Sequence, residues 1–576
     1  DDGRLNISAG VTLAGNVMLD AGDANLSVKG SIGTQDSLAG TVFVSGTEIA
    51  LSDVLSSGAQ TYTKTSSAPE RITLNSNLVS AGKAITLMGP VTLGDAVTID
   101  TTNAGAQPTG NSILLNSTLD SAQGETNALT LRAGAGSVTV LGNAGENQAL
   151  GAVTIESAKY FTWVGSVKAA SLVQSSRSDG SFVLSKGVTV THGDIDIQTT
   201  ELALLGPVIN ESAGDISISA DAISFPDVIQ AAGGNITLTA INGGITATDD
   251  GDENVSTIVS RAADNSGIAS GNIVLDANNA NGTGTISVGI VNASGADNNS
   301  GAGSHGGDIT IRSDGAINLG SVLVQGGNGS GGTGGNSGDI TIVTDSPDGL
   351  TLSVPLVARG GTGSSEGNGG TVRLTAWRDG GVNVAGPLNV LDLGIRSSGD
   401  VILEHSSNDF DKLALDLRQG ASASIVDRDG LQIATVGTAP NAISGITGTS
   451  TAEQTSAITL TVGGALTQAS GAVINTPGSL TINTTGFAAD DVTIRNTDAN
   501  GTTLGDVLVA GTLTVDSTNG SVKQGDGNYL RIGDGLVVTG SEFDLDLEAD
   551  NFLLGGVTAP GLTYFYADDA ITITQS

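Results

Sequence analysis

Carboxylates crowd two stretches of this chain: Asp249, Asp250, Asp252 and Glu253 in one run, and Asp544, Asp546, Glu548 and Asp550 in alternation, with Asp568 and Asp569 beyond. Carboxylates held this close attract a hard divalent cation, above all Ca²⁺, which takes about six to eight oxygen ligands. Asp249, Asp250, Asp252, Glu253, Asp544 and Asp546 are therefore the metal-site candidates, and Ca²⁺ is the one cofactor they suggest. The plainer account is a solvated acidic surface. Neither an EF-hand loop nor the Gly-Gly-x-Gly-x-Asp nonapeptide of calcium-binding β-rolls occurs, and the nearest stretch, Gly326-Gly327-Asn328-Gly329-Ser330-Gly331, lacks the carboxylate.

Catalytic sets are thinner still. Cysteine is absent and the three histidines, His192, His305 and His405, are scattered, so they read as surface residues and not as a metal triad or part of a Ser-His-Asp set. Asp308 and Asp339 could stand one coil apart on an outer face, the arrangement a glycoside-cleaving carboxylate pair would need. They recur as part of a repeat, which favours a structural part, and no catalytic residue is assigned. Trp163 near Tyr160 and Phe161, and Trp377 beside Arg378, could offer a sugar-stacking patch. Late aromatics, Tyr529, Phe543, Phe552, Tyr564, Phe565 and Tyr566, fit either an interface or wider coils that need bulkier filling.

The elements that would position these residues follow from composition and period. Of 576 residues 85 are Gly, only 3% are aromatic and 14% charged, which argues against ordinary globular domains with aromatic cores. Yet 38% are hydrophobic and the mean hydropathy is +0.13, too apolar for a solvated disordered chain. A formal charge of −37 makes nucleic acid a repelled partner, and no apolar run approaches the length of a spanning helix.

A unit of Gly, a polar residue and a short alternating strand recurs: Gly193-Asp194-Ile195, Gly214-Asp215-Ile216, Gly234-Asn235-Ile236, Gly271-Asn272-Ile273, Gly307-Asp308-Ile309, Gly338-Asp339-Ile340, Gly370-Thr371-Val372 and Gly399-Asp400-Val401. Successive glycines stand 20 to 37 residues apart. Three strands fill one period, as in 308–312, 316–319 and 321–324, followed by a Gly-rich excursion. This grammar predicts an all-β fold, an elongated parallel β-helix with right-handed, three-sided coils, in which Ile309, Ile340 and Val372 share an inward ladder while Thr310, Thr341 and Arg373 point out. Aliphatic stacks would suffice to fill so narrow an interior. The excursions Asn298 to Gly307, Gly326 to Gly338 and Gly360 to Gly370 read as exposed loops that accept length changes. One continuous solenoid over 1–576 is expected, with less regular coils in 1–190, the most regular in 191–405, and aromatic-enriched coils in 406–576.

The Gly-Asp-Ile-Thr-Ile units, with phrases such as Ala152-Val153-Thr154-Ile155-Glu156-Ser157-Ala158 and Leu129-Thr130-Leu131-Arg132-Ala133-Gly134, resemble the repeats of giant bacterial exoproteins of the filamentous-haemagglutinin-like class. The resemblance implies a secreted or surface-held shaft concerned with adhesion, matrix or filament formation, with host or matrix glycans and proteins as partners. That family's Asn-Pro-Asn secretion signatures are missing, which points to a shaft segment, and no binding residue carries over. Strand-like sequence at both ends, carrying Leu5 and Ile7 at one and Tyr564, Tyr566, Ile571 and Ile573 at the other, makes these the interface candidates. Either flanking segments of a longer chain or other copies joined end to end would pair with them. The function expected is that of a non-enzymatic extracellular structural protein. A carbohydrate-active β-helix enzyme and a Ca²⁺-dependent surface binding module are the alternatives.

Overall fold

The computed structural model describes most of residues 5–566; outside the description lie 1–4, 9–14, 68–70, 249–255, 280–281, 354, 567–576 and a series of short segments between 450 and 562. The described residues contain strands and no α-helix, and the strands form parallel ladders apart from one antiparallel pair, Thr435–Val436 with Ile443–Ser444. The protein is an all-β parallel solenoid. It divides into two compact units, Asp1–Ala262 and Ala263–Ser576.

Three stacked rows run through the first unit. One passes Leu26, Ile49, Ile72, Val91 and Leu119. A second passes Val42, Gln60, Ile85, Ile113, Val138, Phe161 and Phe182. The third passes Val97, Leu129, Val153, Leu172, Ile195, Ile216 and Ile236. Each coil visits the rows in the same cyclic order, so the winding is three-sided. The second unit has the same plan: Ile273, Ile309, Ile340, Val372, Leu393 and Leu413 form one row, Ile286, Ile317, Leu350, Val382 and Val401 another, and Val322, Leu356 and Leu388 the third.

Side-chain alternation sets inside from outside. Ile309, Ile340 and Val372 are completely buried, as are the next residues inward, Ile311, Ile342 and Leu374, whereas Thr310, Thr341 and Arg373 face outward. Each buried aliphatic contributes roughly 1.5–3 kcal/mol. The interior is not purely aliphatic, however. Tyr62, Phe161, Trp163, Phe182, Phe225 and Phe410 are also inside, with Phe161 stacked on Phe182 at 4.5 Å and tilted against Trp163 at 5.9 Å. A parallel ladder brings equal positions of adjacent coils together, so one ring recruits another above it.

The Gly-rich excursions depart most from expectation. They are not free loops. Pairs of residues three apart donate their N–H to the next coil on each limb of an excursion: Gly295 to Gln325 and Asn298 to Asn328, then Gly303 to Thr333 and Gly306 to Asn336, and again Gly326 to Arg359 and Gly329 to Thr362, then Gly334 to Ser365 and Ser337 to Asn368. The remaining groups bond sideways, as Gly327 does to Ser304, Gly335 to Gly327, Gly361 to Gly335 and Gly367 to Gly361. Bonds both to the next coil and sideways pack each excursion backbone against backbone. A Cβ on Gly334 would overlap the carbonyl oxygen of Gly361, and one on Gly303 that of Gly327. Neither residue has positive φ, so glycine serves here for close approach and not for turning, which corrects the reading of these stretches as permissive loops.

The recurring Gly-polar pair has a similar explanation. Gly338 packs on the backbone of Gly307, and Gly370 on that of Gly338. The following polar side chain caps the next coil: Asp308 Oδ1 accepts from Asp339 N at 2.8 Å, Asp339 Oδ1 from Thr371 N at 2.8 Å, Asp194 Oδ1 from Asp215 N at 2.9 Å, and Asp215 Oδ1 from Asn235 N at 2.8 Å. The exposed end of each ladder thus gains one hydrogen bond per coil.

Candidate functional site

The metal candidates do not assemble into a described site. Asp249, Asp250, Asp252 and Glu253 lie outside the described residues. Asp544 and Asp546 fall on the strand Phe543–Asp546, where Asp544 is half-buried and stands in register with Lys523 on one side and Tyr564 on the other, while Asp546 is in register with Tyr566. Among the described residues no three His, Cys, Asp or Glu side chains converge as metal ligands. Asp308 and Asp339 do lie on adjacent coils, and the carboxylate of each caps a backbone N–H of the coil above. Of the interface candidates, Leu5 is exposed and Ile7 half-buried, in register with Leu26 and Val28. The side chains of Tyr564 and Tyr566, and Ile571 and Ile573 altogether, lie outside the description.

The sugar-stacking expectation is corrected at both tryptophans. Trp163 is wholly buried, its Nε1 donating to the carbonyl of Gly142 at 3.3 Å, and Phe161 is buried beside it; only Tyr160 is exposed, with the Lys159 ammonium 5.3 Å from its ring centre. The Trp377 ring is covered by guanidinium groups, Arg418 at 4.8 Å and Arg396 at 5.9 Å. Both arginines converge on Asp416, at 3.0 and 2.7 Å. Burial pushes the Asp416 carboxyl up, but the hydrogen bonds and charges of Arg418 and Arg396 outweigh it and hold the group below the usual carboxylate range. Arg378 instead approaches Asp345 at 3.9 Å.

A groove of about 530 Å³ opens in the second unit, with Arg359 and Asp409 in its wall. Arg359 donates through Nε to Asn389 Oδ1 at 2.9 Å, through Nη1 to Asp411 at 2.8 Å, and through Nη2 to Asp409. Asp409 is shared with Arg428 at 2.5 Å. Gln325, Asn328, Thr362 and Glu366 complete the polar lining. With the Arg359 charge matched by two carboxylates, the groove offers amide and hydroxyl hydrogen-bonding groups and little net pull on an anion. Asp427, whose Oδ1 accepts from Phe410 N at 3.1 Å, is pushed up to about 6, mainly by burial and also by the charges of Asp429 and Asp409, against backbone donors that oppose the shift. That value suits proton transfer near neutrality. At 1% exposure, though, the carboxyl is out of reach of a substrate.

Sequence reasoning passed over this cluster because Arg359 reaches Asp409 across 50 residues. The legible signal was the local density of charge in Asn408-Asp409-Phe410-Asp411-Lys412 and Asp427-Arg428-Asp429. In the first unit a smaller groove of about 430 Å³ has Arg132 in its wall; Arg132 is held by Glu156 and lies 3.8 Å from Asp100.

Comparison of the chain with protein-family models, with curated proteins and with solved structures finds no match. The likeness to filamentous-haemagglutinin-like exoproteins rests on the repeat residues alone.

Proposed function

We propose that this chain is an extracellular structural protein, a β-solenoid shaft that serves as an adhesin stalk or as a filament or matrix subunit, and that it is not an enzyme. One observation carries the reading: the polar groups that could do chemistry are spent on holding coil to coil. Asp308 and Asp339 cap neighbouring backbone, Arg359 is clamped by Asp409 and Asp411, and Arg396 and Arg418 share Asp416. A shaft needs stiffness along its winding, and such ladders supply it at every turn. An active site would instead leave a nucleophile or acid pair facing a cleft.

Surface placement is tested on intact cells of the source. The chain should be detected by antibody from outside and removed by external protease; protection until the cells are lysed would defeat the extracellular reading. Incubation with neutral and acidic polysaccharides should release no product, and turnover abolished by Asp409→Asn with Asp411→Asn would replace the shaft by the carbohydrate-active alternative. If Ca²⁺ binds, chelation lowers the melting temperature.

A further inference from the structure

We propose that one outer face of the first unit is a docking surface for a second copy of this chain. The face belongs to the row of strands that includes Ile85–Met88, Ile113–Leu115, Ser137–Val140, Tyr160–Trp163 and Ser178–Leu184, and continues through 201–205. Its outward side chains form two columns. In one, Thr86, Leu114, Thr139, Thr162, Val183 and Ala203 stand in register. The other extends the same ladder past the strand ends: Asn116 N bonds Leu87 O, Leu141 N bonds Leu115 O, Val164 N bonds Val140 O, Ser185 N bonds Trp163 O, and Leu205 N bonds Leu184 O. Met88 begins that column.

Among the described residues ten large apolar side chains are exposed, and five of them lie on this face. Met88, Leu141, Val164 and Leu205 are 37, 40, 37 and 60% exposed, and all four fall in this single column, with Tyr160 at 47% on the same face. They occupy four of the column's six coils, with the uncharged Asn116 and Ser185 between them, so the face is a contiguous uncharged strip and not scattered single residues.

Charge says what covers them. The two columns carry no ionisable group, and the residues bordering them add three lysines, Lys83, Lys159 and Lys186, against two carboxylates, Asp179 and Glu201. The chain as a whole has 59 acidic and 22 basic residues. Two copies therefore repel over most of their surfaces and least along this face. A two-fold pairing would bury apolar side chains against their own equivalents without desolvating a carboxylate. Six coils at about 4.8 Å spacing and about five residues of strand width give a patch of roughly 24 by 16 Å, near 400 Å² per copy. That is below the roughly 800 Å² per partner of a standard interface, so the dimer is weak and reversible.

Sedimentation equilibrium of the full chain tests this. A dimer that dissociates on dilution is expected, and its association should strengthen as salt rises, because screening relieves repulsion between acidic copies. Leu141→Lys with Val164→Lys should weaken association at least about ten-fold, while Thr237→Lys, on another side of the same unit, should not. Circular dichroism shows whether each variant retains its strands. The chain lacks cysteine, so Leu141→Cys should oxidise to a covalent dimer faster than Thr237→Cys; this second readout does not depend on the charged variants folding. A chain that stays monomeric at every concentration and salt, a dimer indifferent to the Lys pair, or equal oxidation of the two cysteines would overturn the proposal. Monomers that instead sediment with lipid vesicles or with insoluble glycan would assign the face to that partner and overturn it too.

Discussion

Two stretches of the solenoid solve the same stacking problem with opposite chemistry. In the coils around Trp163, successive partners such as Val138, Phe161 and Phe182 lie 21 to 23 residues apart, and cohesion comes from rings packed inside the winding. In the coils around Ile309 the same interval lengthens to 31 to 36 residues, because each coil adds a Gly-rich excursion whose backbone bonds to the excursions above and below. One region gains cohesion from side-chain volume and the other from its absence. The lesson is that glycine content can mark dense packing where backbone lies directly against neighbouring backbone.

The comparison breaks first at Trp163. Trp163→Ala should cost about 3–5 kcal/mol, and because coils in a solenoid contact only their neighbours, hydrogen exchange should accelerate in Tyr160–Trp163 and Ser178–Leu184 and remain unchanged in Ile309–Ser313. Acceleration in both would show that the regions are not energetically separate.

Next comes a residue that belongs to neither scheme. Asp427 ionises near 3.8 when unfolded and near 6 when folded, so the folded state retains the proton longer, and this group's contribution to stability falls as pH rises from about 4 to about 6 and is level above that. Denaturant unfolding of Asp427→Asn and the parent protein across this range should differ by an amount that changes in favour of the variant by up to about 3 kcal/mol. A constant difference would remove the buried-carboxyl account. Asp416, held below the usual range by its arginines, should act in the opposite sense, with its stabilisation lost as pH falls through the acid range.

Gly334→Ala sharpens the contrast from the other side. A single methyl must displace the Gly361 carbonyl, which should cost about 1–3 kcal/mol and raise exchange in the stacked segments, whereas Gly267→Ala, at a position with nothing near the added carbon but with positive φ, should cost less than that through strain alone. Equal costs would return the excursions to the status of loops. The smallest effect is expected at the ladder: Asp308→Ala should remove about 1 kcal/mol, with the Asp339 amide exchanging faster.

The fold was legible because a parallel coil repeats its own grammar. Alternation in Ile309-Thr310-Ile311 and Ile340-Thr341-Ile342 names the inward ladder directly, and the stacked register follows from matching like with like. The candidate groove was not legible, since Arg359 and Asp409 are 50 residues apart in a chain whose coil length varies, and a ragged period does not say which polar residues align. The tryptophans misled for a related reason: an aromatic pair in sequence reads the same whether its strand faces in or out until the neighbouring register is known.

Local pattern alone thus determined the class of fold, the inward positions of the regular coils and the polar residue after each recurring glycine, because these depend on interactions that recur at every turn. Tertiary structure decided the placement of the excursions against one another, the burial of Trp163, the arginine cover on Trp377 and the alignment of Met88, Leu141, Val164 and Leu205 on one face. Those depend on how many residues each particular coil takes to come round, a length that no short-range periodicity encodes.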